Sequence, residues 1–160
     1  MPVHVGVVGS GEADPVTDGI AERIGRELAQ AGAVLVCGGL GGVMEAACRG
    51  AAGAGGLTVG LLPGLEHRAA NRWVSAVIPT GLGELRNGLV VRASEVVIAI
   101  GGEYGTLSEV AFALKLGRPV VGVSTWTLTR PDGAPDDGVL VSSVDEAVAT
   151  ALSLAGTHPG

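Results

Sequence analysis

Aromatic side chains are nearly missing from this chain, with two tryptophans, one tyrosine and one phenylalanine among 160 residues. Any core must therefore be built from Val, Leu, Ile and Ala, whose small side chains let helices come close to strands. Lysine is scarcer still: Lys115 is the only one, and no Gly-Lys-Ser/Thr occurs, which excludes a Walker A loop. Lys115 stands two residues before Gly117 and reads as a cation at a helix C-terminus rather than a Schiff-base lysine. The formal net charge of −6 argues against a basic nucleic-acid surface and against a polybasic membrane patch. An anionic ligand has to be held locally, by backbone N–H groups, helix N-termini or one or two arginines. Cys37 and Cys48 form no CxxC pair and have no histidines at metal-ligand spacing, so reduced, buried thiols are expected and no metal site. His4, His67 and His158 lack the neighbours of a nucleophilic triad. No uncharged run approaches the roughly 20 residues of a membrane span and no leader-like segment opens the chain, so a cytoplasmic location is expected.

What the chain has in abundance is glycine, 28 residues that fall mostly at the ends of apolar runs. Those runs, 3–8, 33–37, 57–62, 74–79, 95–100 and 119–123, with a short one at 139–141, read as strands. Most lack polar alternation, which suits strands covered on both faces. Helical patterns fill the intervals at 16–31, 43–52, 84–93, 106–116 and 144–154, the last opened by Ser143 and Glu146 at capping-box spacing. Alternating strands and helices imply a mainly parallel sheet of six to seven strands with helices on both faces. Ligands in such sheets bind beyond the carboxyl ends of the strands. There the glycines gather: Gly9-Ser10-Gly11 after the first strand, Gly38-Gly39-Leu40-Gly41-Gly42 after the second, and Gly101-Gly102-Glu103-Tyr104-Gly105 after the fifth.

The last of these loops runs into Thr106-Leu107-Ser108-Glu109, and two readings of it stand side by side. In one, Thr106 is an N-cap and Glu109 reaches back to its N–H, a capping box that needs no ligand. In the other, Gly101, Gly102 and Gly105 let the backbone bend beneath a phosphate, and the helix N-terminus supplies the amides. The first loop lacks the third glycine of the dinucleotide fingerprint, so NAD binding of that kind is not expected. Met44 reads as core and Arg92 as solvated or at a subunit contact. Asn71 and Arg72 could close over a ligand or sit in a mobile polar loop, and Trp73 and Trp126 read as packing, interface or ligand-stacking residues near loop ends.

Three segments, "CGGLGGVMEAACRGA" (37–51), "GELRNGLVVRASEVVIAIGG" (83–102) and "EYGTLSEVAFALKLGRPVV" (103–121), resemble the superfamily of the LOG (Lonely Guy) phosphoribohydrolases and the molybdenum cofactor carrier proteins, most closely its small carrier-like branch. The resemblance implies a single Rossmann-like domain over 1–156, with a disordered tail at 157–160, and a homo-oligomer, dimer or tetramer, packed through helix faces such as the Ala-rich ones of 43–52 and 106–116. It implies a phosphorylated, nucleotide-like ligand held by Gly9, Ser10, Gly38, Gly39, Gly41, Gly42, Arg86, Asn87, Gly101, Gly102, Gly105 and Thr106. A carrier would need no cofactor of its own but could carry the molybdenum cofactor. A LOG-type enzyme would instead cleave the N-glycosidic bond of a nucleoside 5′-monophosphate, with Glu109 stabilising an oxocarbenium-like centre or activating water and Arg86 holding substrate. The chain departs from the enzyme pattern: Arg86-Asn87 stands for Arg-Lys, Gly101 for proline, and Glu45 and Glu103 for glycines. A carboxylate at Glu103 about 4 Å from a phosphate would cost on the order of 4 kcal/mol at an effective dielectric of 20. Single-stranded DNA binding, suggested by a related fold in DNA-processing protein A, runs against the acidic balance and the scarcity of aromatics.

Overall fold

The computed structural model describes residues 1–157. Its strands are β1 (His4–Gly9), β2 (Val34–Cys37), β3 (Thr58–Leu62), β4 (Ala76–Pro79), β5 (Val96–Ile100), β6 (Val120–Val123), β7 (Leu128–Thr129), β8 (Pro135–Asp136) and β9 (Val139–Val141). Seven of them form one sheet in the order β4-β3-β2-β1-β5-β6-β9, every pairing parallel. The helices are α1 (Pro15–Gln30), α2 (Val43–Gly53), α3 (Asn87–Arg92), α4 (Tyr104–Lys115) and α5 (Val144–Ala155), with 3₁₀ turns at His67–Ala69 and Gly83–Arg86.

The missing polar alternation has a direct cause. Val5 and Val7 of β1, and Val96, Ile98 and Ile100 of β5, pack into one core with α1, α2 and α5. The intervening Val8, Val97 and Ala99 pack into a second core with α3 and α4. Each central strand is thus buried on both faces, as parallel sheets require. The small residues are needed where α1 crosses α2: a Cβ on Gly25 would sit 1.9 Å from the Ala47 carbonyl oxygen, and one on Gly50 1.9 Å from that of Glu22. Backbone meets backbone there, with no room for a methyl group.

Several expectations shift. The helix expected over 84–93 divides into the Gly83–Arg86 turn and α3. Ser143 is the N-cap of α5, but its hydroxyl meets the Glu146 side chain at 3.3 Å instead of capping a backbone amide. The antiparallel pair β7–β8 was not foreseen. The alanines of α2 are not an outward face either: Ala46, Ala47 and Ala51 are buried within the subunit. Of the expected tail 157–160, Thr157 caps Leu154 O through its hydroxyl at 2.7 Å, and the remainder, with His158, lies outside the described residues.

Candidate functional site

β1 and β5 are neighbours, yet the chain leaving β1 returns through β2 on one side and the chain leaving β5 returns through β6 on the other. Their outgoing loops part and open a crevice at the carboxyl end of the sheet. A cleft of about 160 Å³ lies there, and of the expected site residues Gly9, Ser10, Gly38, Arg86, Asn87, Gly105, Thr106 and Glu109 line it. Gly39, Gly41 and Gly42 do not: Gly41 and Gly42 lie against the Ser10-Gly11 backbone and Gly39 against Gly60 and Leu62, and Gly101 and Gly102 line a separate cavity. Glu84, which sequence reasoning treated only as a helix start, and Glu103 also border the cleft.

Arg86 ends the 3₁₀ turn and is only 7% exposed. Its guanidinium lies flat over Gly38, where a Cβ would come within 2.6–2.7 Å of three of its atoms. Nη1 donates to Asn87 Oδ1 at 2.6 Å, while Nε is buried with no partner. The ion pairs of the described residues use His4, Arg23, Arg49 and Arg130, leaving Arg86 without a carboxylate partner. A buried guanidinium with an unused donor is costly, because such a donor forfeits its hydration without compensation. Asn87 extends the link through a long 3.5 Å contact to Ser108 Oγ, which itself donates to Gly105 O at 2.6 Å.

The structure bears on the capping-box reading of Thr-x-x-Glu. The N-cap of α4 is Glu103, without a side-chain cap, and the helix begins at Tyr104. Thr106 is therefore already inside the first turn, and Thr106 and Glu109 are only 3% and 6% exposed. The expected capping box does not form, because both side chains are drawn inward. The first-turn amides of α4 lack intrahelical carbonyl partners, and Gly105 and Thr106 border the cleft that Arg86 also enters. Burial pushes the Glu109 carboxyl up to about 8, with Arg86 pulling it down and Glu84 pushing it further up. At neutral pH Glu109 is mostly protonated, so it does not repel an anion. Glu103 is exposed at the mouth, and its backbone carbonyl accepts from Trp126 Nε1 at 3.2 Å.

Asn71 is tied to the second loop: its Nδ2 donates to Leu40 O at 2.9 Å and its N–H donates to Gly39 O at 2.9 Å. Arg72 lies over the Trp73 ring at 5.0 Å. Beneath this loop Cys37 and Cys48 are free, buried thiols with sulfurs 3.5 Å apart. The hydrogen bond with Cys48, together with burial, holds the Cys37 thiol well above its ordinary range. Among the described residues no cluster of His, Cys, Asp and Glu could hold a metal ion, and no helix is long and apolar enough to cross a membrane.

The sequence profile of the SLOG cluster4 family matches residues 2–150. The chain belongs to the SLOG cluster4 family. The cluster4 fold seen here superposes on the molybdenum cofactor binding protein of the phototrophic bacterium Rippkaea orientalis with a TM-score of 0.86 and 36% identity, covering 96% of this chain and 98% of that one. It superposes on the molybdenum cofactor carrier protein of Chlamydomonas reinhardtii with a TM-score of 0.82 and 32% identity, over 98% and 100% of the two chains. An uncharacterized protein of Archaeoglobus fulgidus is 45% identical over 121 residues, 76% of this chain and 80% of that one. DNA processing protein A of Helicobacter pylori, at 22% identity and a TM-score of 0.70 over 95% of this chain and 81% of its own, shares with this cluster4 member the fold alone.

Proposed function

We propose that this protein is a cytoplasmic binder and carrier of a phosphorylated, nucleotide-like small molecule, with the molybdenum cofactor as its cargo. The observation that carries this reading is the unpartnered, buried Nε of Arg86 beside the first turn of α4. Arg86, Gly105 and Thr106 line one cleft, where a phosphate would meet a cation and backbone amides. The fit concerns the phosphate: Gly38 leaves the arginine room to lie flat, and the mostly protonated Glu109 adds no charge against the anion. The kinship with molybdenum cofactor binding and carrier proteins supports that cargo. Nucleic acid is not part of this reading, given the net charge of −6. Self-association is: Leu82, Leu85 and Leu89, exposed around α3, supply an apolar surface in place of the buried α2 alanines.

Phosphoribohydrolase activity is the second reading, favoured by one observation. Glu109, with its carboxyl near 8, is a candidate general acid in the same cleft as Glu84 and Glu103. As a base or as the partner of an oxocarbenium ion it would have to be ionised, which burial opposes at neutral pH. The two readings separate on purified protein. A carrier expressed in cells that make the cofactor retains a pterin, detected by fluorescence after oxidation, and Arg86→Leu loses it. A hydrolase releases free base from AMP, CMP or a cytokinin monophosphate and stops doing so in Glu109→Ala. Base release by the parent protein that Glu109→Ala abolishes would overturn the pure-carrier reading.

A further inference from the structure

Two of the four aromatic side chains have ordinary work: Trp73 packs on one core and Phe112 on the other. Tyr104 and Trp126 join neither core. They pair with each other instead, ring centroids 5.8 Å apart at 33°, and Tyr104 stays 81% exposed. In a chain so poor in rings, half of them stand together at the rim of the sheet. Tyr104 is the first residue of α4, directly before Gly105 and Thr106, so its backbone lies within one helical turn of the first-turn amides.

The segment that brings in Trp126 is held to the phosphate loop at two points. Thr125 Oγ1 donates to Gly101 O at 2.6 Å, and Trp126 Nε1 donates to Glu103 O at 3.2 Å. Ser124, which leads into it, has φ of 50°, and it is the one non-glycine among the described residues in the left-handed region. Such backbone persists where surrounding contacts over-determine it, and it concentrates at ligand clamps. Beside the aromatic pair is a second cavity of about 310 Å³, lined by Gly101, Gly102, Ser124, Thr125 and Trp126. It borders the same loop as the anion cleft. Its lining combines the bare backbone of Gly101 and Gly102 with the Trp126 indole and the side chains of Ser124 and Thr125. An open depression with that lining suits a flat polar ring, since stacking uses the face of a ring and hydrogen bonds use its edge.

We propose that this cavity, with Tyr104 and Trp126, is a ring subsite that stacks the planar heteroaromatic ring of a phosphate ester whose phosphate sits on the α4 amides. The inference rests on the anion reading of that helix terminus and adds to it where the ring goes and what kind of ring it is.

The test uses GMP and ribose 5-phosphate, which share a phosphate and a sugar but differ in the ring. Calorimetric titration of the intact protein should give GMP an affinity about tenfold above that of ribose 5-phosphate. In a Trp73→Phe background, where Trp126 is the sole tryptophan, GMP should quench the emission and ribose 5-phosphate should not. Tyr104→Ala, at a position exposed enough for the fold to tolerate it, should shrink the GMP advantage to less than about threefold. Equal affinities for the two probes, or an advantage that survives Tyr104→Ala, would overturn the ring subsite while leaving the anion site standing. Failure of both probes to bind would bring down the anion reading and this inference together. If Tyr104→Ala changes the sedimentation of the protein but not the ratio of affinities, the aromatic pair belongs to a contact between copies and the proposal is wrong.

Discussion

Replacing Glu109 by glutamine keeps the shape of the side chain and removes its proton equilibrium, and the consequence for stability can be worked through. In the folded protein the carboxyl titrates near 8 because it is buried, against an ordinary value of 4.5. That gap corresponds to on the order of 5 kcal/mol. The sign follows from proton counting: between about 4.5 and 8 the folded state holds a proton that the unfolded state has released, so stability falls as pH rises through this window. Below the window both states are protonated, and above it both are ionised, so the contribution is flat at either end. Glutamine has no such window. Urea unfolding of the parent and of Glu109→Gln at pH 5, 6, 7 and 8 isolates the effect, because every other titrating group is common to both. The variant should gain on the parent by about 1.0–1.3 kcal/mol for each pH step, least in the step to pH 8 where Glu109 is half ionised. Parallel stability curves would show that Glu109 is ionised in the fold at neutral pH. The account of an anion-tolerant cleft would then fail as well.

Other consequences are equally open to measurement. Inorganic phosphate should bind less tightly as pH rises through about 8, when Glu109 adds its own negative charge to a cleft that Glu84 and Glu103 also border, and Glu109→Gln should abolish that step in a calorimetric titration. Arg86→Leu should weaken phosphate binding by about 10- to 150-fold, the value of a charged hydrogen bond, and titration of a variant shown to be folded by circular dichroism checks it. Gly25→Ala should destabilise the protein by about 1–3 kcal/mol, because its methyl group would strike the Ala47 carbonyl; urea unfolding reads this directly. Cys37 and Cys48 should resist a thiol reagent in the native protein and react together once it is unfolded in guanidinium.

Much of this architecture was legible in the chain because strands buried on both faces leave unbroken apolar runs, and the glycines mark where each run stops. The start of α4 was not legible for a definite reason. Thr106-x-x-Glu109 has the spacing of a capping box, and only the packing of α4 on the sheet, which draws both side chains inward, moves the helix start back to Tyr104. The β7–β8 hairpin did carry a signal, Arg130-Pro131-Asp132-Gly133, in which Gly133 N–H donates to Arg130 O and Asp132 Oδ1 accepts from Ala134 N–H. Strands of two residues are too short to show a period, so the turn stood alone. In the site, Glu109 stood out in the Thr-x-x-Glu after a glycine loop and Arg86 came from the family resemblance, whereas nothing local marked Glu84, which borders the cleft from the 3₁₀ turn.

The close stacking of Arg86 on Gly38 makes two distant positions a single unit. A side chain at 38 would evict the guanidinium, and without the guanidinium the bare glycine face would be a hole in the floor of the cleft. Neither residue can be redesigned alone. A neutral pocket in this scaffold would need a bulky apolar residue at 38 and a shortened one at 86 introduced as a pair, and the energetic coupling of that pair in a double-mutant cycle would measure how far the proposed anion site is built from an absent side chain.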